Sequence, residues 1–453
     1  MSKRHSSSKR KLSAAALRSV SAIAVCLSSI GASLAAPSTP DAALIEKGRY
    51  IAAASDCSAC HSVQGREEYT GGMAFALPFG TIHSTNITPD QEHGIGAYTE
   101  EEFARAIRRG IRKDGSTLYP AMPYPSYARM TDEDMHALYV YFHNGITPSA
   151  AQPPKNTIPW PLSMRWPLIF WRGIFSPSPE KALKTTQAAY DDMILARGAY
   201  LVEGPGHCGA CHSPRGLAMQ EKALSTQEGD AYLSGGAAVD GYIPPSLRAD
   251  DRTGLGRWSE DDIATFLATG RNQKGSAFGS MTPAIMHGTQ NLSAADLHAI
   301  AHYLHHLGPS RLKEKPWVYD PRVTNELHQG RTTERGAMLY VNNCAACHRT
   351  DGSGYPDVFP PLAGNPVVMS ANPASLVHIV QSGATLPAMH KAPSALTMPS
   401  FEGHLSDQEI ADVVTFIRQS WGNDAPPVSR RDVEKLKKTM PPRNMSEGPI
   451  PQN

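Results

Sequence analysis

The sequence predicts a mostly α-helical protein of three tandem domains with long loops. Three observations carry this reading. A Cys-x-x-Cys-His motif occurs three times, at Cys57, Cys208 and Cys344, too far apart for a solenoid and suited to tandem domains. Matching helix signals flank each copy. No convincing run of alternating strand pattern appears anywhere. The 453 residues agree with about three domains. At 41% hydrophobic and 19% charged, the composition suits a globular chain and not a disordered tail or multi-span membrane protein. A net charge of +1 leaves no basic excess to grip nucleic acid.

Residues 1–36 read as a secretory signal peptide. Lys3, Arg4, Lys9, Arg10, Lys11 and Arg18 form a basic leader, and a short apolar stretch from about Val20 to Leu34 follows. Ser33-Leu34-Ala35-Ala36 offers small residues for cleavage. The apolar part is shorter than the roughly 20 residues a spanning helix needs. Cleavage removes six positive charges and no acids, leaving an acidic mature chain. It also removes Cys26, the one cysteine outside the three pairs.

The domains are placed at 37–147, 191–308 and 330–424. Each opens on a helix with a basic residue before glycine: Lys47-Gly48, Arg197-Gly198, Arg335-Gly336. The cysteine motif follows, then a Gly/Pro-rich loop region, then a closing amphipathic helix. Thr131, Ser293 and Ser406 cap the closing helices, with Asp134, Asp296 and Glu409 at the third position to satisfy free N–H groups. Ten residues after each cap stands an aromatic: Tyr141, Tyr303, Phe416. Thr99 with Glu102, and Ser259 with Asp262, mark a middle helix in the first two domains.

Residues 148–190 form a Pro/Trp-rich linker. Eight prolines between 148 and 179 mean that this stretch cannot be a regular helix. Trp160, Trp166 and Trp171 lie in it, which suggests either a strap over the first two domains or a docking surface for a partner or membrane. The linker 309–329 is polar. The tail, 425–453, is polar and holds a short basic helix from Arg430 to Lys438, expected to be solvated rather than lipid-binding.

The motifs are the attachment pattern of c-type haem. Cys57 and Cys60, Cys208 and Cys211, and Cys344 and Cys347 would bind the two vinyl groups of three covalent haem c groups. His61, His212 and His348 would then lie under the irons as proximal ligands. A redox dithiol needs no histidine, and a zinc site needs four ligands. All six cysteines are expected to be consumed in thioethers. The second axial ligand is expected from the loop before each closing helix. Met122 and Met398 stand there, each beside a proline. In the middle domain spacing leans to Met286, while the local pattern of small residue, Met and nearby Pro leans to Met281. No Ser-His-Asp order, phosphate loop or dinucleotide fingerprint stands out. Irons ligated on both faces would pass electrons without binding substrate; a haem enzyme with one open iron would require a domain lacking its methionine.

Several stretches resemble a known family: "GTIHSTNITPD" (80–90), "GIRKDGSTLYPAMPYPSYARMTDEDM" (110–135), "WPLSMRWPLIFWR" (160–172), "GPGHCGACHSPRG" (204–216), "FPPLAGNPVV" (359–368) and "IADVVTFIRQSWGN" (410–423). They are similar to the tri-haem cytochrome c subunits of membrane-bound, quinone-reducing alcohol dehydrogenases. The cytochrome c subunits of flavin-linked gluconate and sorbitol dehydrogenases look almost the same. The resemblance implies three class I cytochrome c-type domains and methionine ligands at Met122, Met281 and Met398. It also implies a PQQ- or FAD-dependent large subunit as electron donor, with ubiquinone as acceptor. The implied location is the periplasmic face of the bacterial cytoplasmic membrane.

Overall fold

The computed structural model describes residues 41–439, apart from 78 and 188. The leader, Cys26 and the end of the tail lie outside the described residues. Helix dominates. An opening helix packs along a closing helix three times: Ala42–Ala54 on Asp132–Asn144, Met193–Glu203 on Ala294–His306, and Arg335–Asn343 on Asp407–Gln419.

The same local chemistry drives all three pairings. At each crossing the glycine after the basic residue lies against closing-helix backbone. A Cβ built on Gly48 would stand 2.1 Å from the Ala137 carbonyl oxygen, on Gly198 2.0 Å from that of Ala299, and on Gly336 2.4 Å from that of Asp412. Only glycine permits this approach. The recurring aromatic lies one turn further on, and its Cβ touches the same glycine. The basic residue before glycine reaches the closing helix's first turn: Lys47 Nζ lies 3.1 Å from Asp134, Arg197 grips Asp296 through two bonds, and Arg335 bonds Glu409 at 3.0 Å. The hydroxyl caps at Thr131, Ser293 and Ser406 each accept from the backbone N–H three residues on.

The middle helices Glu100–Arg109 and Glu260–Thr269 carry complete capping boxes at Thr99 and Ser259. Their counterpart near the third motif is Ala374–Ser382, which starts at Pro373 without a side-chain cap. Strands are present where the sequence suggested none. Three antiparallel two-stranded ribbons occur, Ala74–Leu77 with Gly80–His83, Arg271–Asn272 with Gly275–Ser276, and Ala384–Leu386 with Leu396–Met398. Strands of two to four residues are too short to show an alternation.

The proline-rich stretch also departs from expectation. Pro167–Phe175 and Pro179–Gln187 are regular helices. A proline opens each, at the position where its missing N–H and fixed φ cost nothing. Trp171 and Arg172 of the first, with Arg165 just before it, face inward: the Trp171 indole N–H donates to the Ala218 carbonyl and both arginines bond Thr117. Trp166, Phe170 and Ile174, four residues apart, face out and are 59%, 63% and 72% exposed. The basic tail helix Arg430–Thr439 is docked rather than solvated, because Val433 is fully buried in the core of the third helix pair.

The pairs also lock to one another. The Tyr50 hydroxyl donates to Asp296 at 2.5 Å, and the Tyr200 hydroxyl donates to Asp134 at 2.6 Å. Each tyrosine stands three residues after its basic residue and reaches the capping acid of the other closing helix. Beneath them, buried Arg129 faces buried Glu203 at 3.6 Å, and Tyr303 donates to the same carboxylate. Ala277, Ile285, Leu386, Met389 and Ala392 form a smaller apolar cluster between the middle and third parts. Nearby, the rings of Tyr242 and His378 stack at 4.3 Å.

Candidate haem-attachment sites

Each Cys-x-x-Cys-His motif folds as a short helical turn directly after an opening helix: Cys57–His61, Gly209–His212 and Ala345–His348. The turn sets both cysteines and the histidine on one side. Among the described residues none of the six cysteines is paired in a disulfide. Burial pushes Cys57, Cys208 and Cys344 each up to about 12, and Cys211 to about 11. A redox dithiol works through a thiolate with a depressed pKa. These cysteines are shifted the opposite way.

The histidines share one arrangement. Nδ1–H of His61 donates to the Thr85 carbonyl at 2.7 Å, that of His212 to Pro245 at 2.8 Å, and that of His348 to Pro360 at 3.0 Å. That bond fixes the ring plane and tautomer and leaves Nε2 with its lone pair for a metal. Burial lowers all three histidines, keeping them neutral. The residues therefore fit covalent haem: two thiols and one oriented, neutral imidazole per turn.

The methionines fall into line with their motifs. Met122 packs on the same core cluster as Cys57, Met281 on the same cluster as Cys208, and Met398 on the same cluster as Cys344. Met286 packs only on the smaller cluster with Met389 and Leu386. Met130, Met135 and Met389 are buried core side chains.

Sequence reading missed the carbonyl acceptors Thr85, Pro245 and Pro360, since any residue supplies a carbonyl. It also missed the Tyr50 and Tyr200 exchange, although a tyrosine three residues after the Lys/Arg-Gly basic residue was visible in both repeats. A third omission is Glu221. Its carboxylate is buried against Gly209 inside the middle motif, with Arg215 no nearer than 4.0 Å. Burial raises it to about 7.

A family model for cytochrome c matches residues 45–145 and 333–421. The chain is 54% identical to the cytochrome c subunit of a quinone alcohol dehydrogenase from Gluconacetobacter polyoxogenes, over 92% of this chain and 89% of that one. The chain belongs to the family of dehydrogenase cytochrome c subunits. The gluconate 2-dehydrogenase cytochrome c subunit of Pantoea cypripedii is a further relative, 50% identical over 92% of this chain and 95% of its own length. The fructose dehydrogenase cytochrome subunit of Gluconobacter japonicus is 36% identical over 87% and 82%. Family membership makes covalently bound haem c the cofactor of this chain. Among the described residues no helix is long and apolar enough to cross a membrane.

Proposed function

We propose that this chain relays electrons through three covalent haem c groups, from a periplasmic alcohol dehydrogenase subunit to ubiquinone at the cytoplasmic membrane. The observation that carries this is the threefold recurrence of one site. A cysteine pair precedes a histidine whose Nδ1 is committed to a carbonyl, and a methionine packs on the same core. Bound haem c supplies reversible one-electron chemistry at its iron. The chain's own part is to fix the ring. Cys57 and Cys60, Cys208 and Cys211, and Cys344 and Cys347 tether it. His61, His212 and His348 would ligate one face, and Met122, Met281 and Met398 the other. Sulfur ligation favours a raised potential. With both faces filled, no position is left for substrate, so oxidation belongs to the partner subunit. The likeness to a gluconate dehydrogenase subunit supports a flavin-dependent donor as the alternative. We also place the outward Trp166, Phe170 and Ile174 against the membrane interface, where amphipathic rings are favoured.

Haem content per chain tests the count: three equivalents are expected, all low-spin, and a persistent high-spin haem that binds cyanide would overturn the relay. Met281→Ala should remove the sulfur-to-iron band of the middle haem while leaving the other two; an unchanged band would reassign the ligand to Met286. The organic cofactor of the co-purified large subunit, quinone or flavin, decides the donor.

A further inference from the structure

The closing helix Ala294–His306 carries a histidine stripe that electron relay does not use. His298, His302 and His305 recur at i, i+4 and i+7, on one face of that helix. The middle helix Glu260–Thr269 packs against it and presents Glu260, its first residue, to the stripe. His302 Nδ1 lies 2.9 Å from Glu260 Oε1, His305 Nδ1 3.8 Å from the same oxygen, and His298 Nε2 3.7 Å from Oε2. One carboxylate thus faces three imidazoles from three directions.

We propose that Glu260, His298, His302 and His305 form a surface site for a divalent ion of borderline softness, Zn2+, Ni2+ or Cu2+. The donor set is what such ions select: imidazole nitrogens with one carboxylate. The spacing suits it. Bonds of about 2.0–2.2 Å in a tetrahedral sphere put neighbouring donors about 3.3–3.6 Å apart. The three carboxylate-to-imidazole separations, 2.9, 3.7 and 3.8 Å, fall on either side of that range. The donors stand at ion-pair rather than bonding distance, and as placed no group of three or more His, Cys, Asp or Glu among the described residues could hold a metal ion. All four side chains are partly exposed, which leaves them room to rotate toward a shared ion.

The repeat supplies an internal control. The first closing helix places His136 at the position of His298, and it pairs with Glu100, the counterpart of Glu260, at 2.8 Å. At the positions of His302 and His306 that helix has Val140 and Asn144, and His143 at the position of His305 bonds the Tyr139 carbonyl instead. The third helix has Ala411, Thr415 and Arg418 along the same face. The architecture therefore needs none of these histidines, and the middle copy has gathered three around one carboxylate.

The test is zinc binding by calorimetry on chelator-treated, haem-loaded protein, read beside the visible haem spectrum. One zinc equivalent is expected. His302→Ala and Glu260→Gln should each weaken it at least about tenfold, and His298→Ala/His302→Ala should abolish it, with the haem spectrum unchanged. His136→Ala should leave zinc affinity as in the parent. Absence of zinc uptake, uptake that survives His298→Ala/His302→Ala, or equal loss in His136→Ala would overturn the proposal. None of these readouts depends on electron transfer.

Discussion

The histidines of the three motifs differ in their acceptors, a threonine carbonyl once and a proline carbonyl twice, yet make the same bond. What recurs at this scale is an oxygen in space, which any residue type can supply. The Cys-x-x-Cys-His pattern was readable because covalent chemistry dictates side chains. The carbonyl partners were not, because they belong to the loop path. Glu221 illustrates a side chain whose role burial decides. It holds its proton up to about 7, whereas an ordinary glutamate loses it near 4.5. Between those values the folded chain binds a proton that the unfolded chain has released. Its contribution is fully present below about 4.5 and is lost as pH rises through about 7. Stability of the parent, followed by denaturant melts, should fall across that window. Glu221→Gln should flatten the decline, and an unchanged slope would assign it to other groups.

At the scale of elements, one lock is used three times. A basic residue, a glycine, an acidic third position and an aromatic ten residues past the cap specify how two helices cross. All four were visible in sequence as coincidences of spacing, and the contacts give their cause. Gly198→Ala tests it. Alanine improves helix propensity by about 1 kcal/mol, but its Cβ would lie 2.0 Å from the Ala299 carbonyl. Forcing such a contact apart costs about 1–3 kcal/mol, so a net loss in melting temperature is expected; a gain would show that the helices can separate freely. The proline-rich stretch was misread for an equally local reason. Proline forbids a helix interior but suits a first turn, and composition alone does not give position within an element.

Across the whole molecule, the exposed row of Trp166, Phe170 and Ile174 lies on a helix anchored from its other side by Trp171 and two arginines. The tryptophans made this region conspicuous in sequence. Which ones faced out was not legible, because the helix itself was unexpected. Replacing Phe170 and Ile174 by serine should leave haem content and folding intact and reduce co-sedimentation with phospholipid vesicles severalfold. Retained binding would move the attachment surface elsewhere on the molecule.

The tyrosine exchange has a bearing on how such a chain arose. Tyr50 reaches Asp296 and Tyr200 reaches Asp134, so the same residue pair is used once in each direction. That reciprocity is the signature of two equal copies meeting face to face, as identical subunits do across a twofold axis. A single ancestral polypeptide pairing with itself would need only one tyrosine and one aspartate to make both bonds. Duplication and fusion would preserve the contact without inventing it. The third copy has Met338 where the tyrosine would stand, exposed to solvent. It cannot join such a handshake.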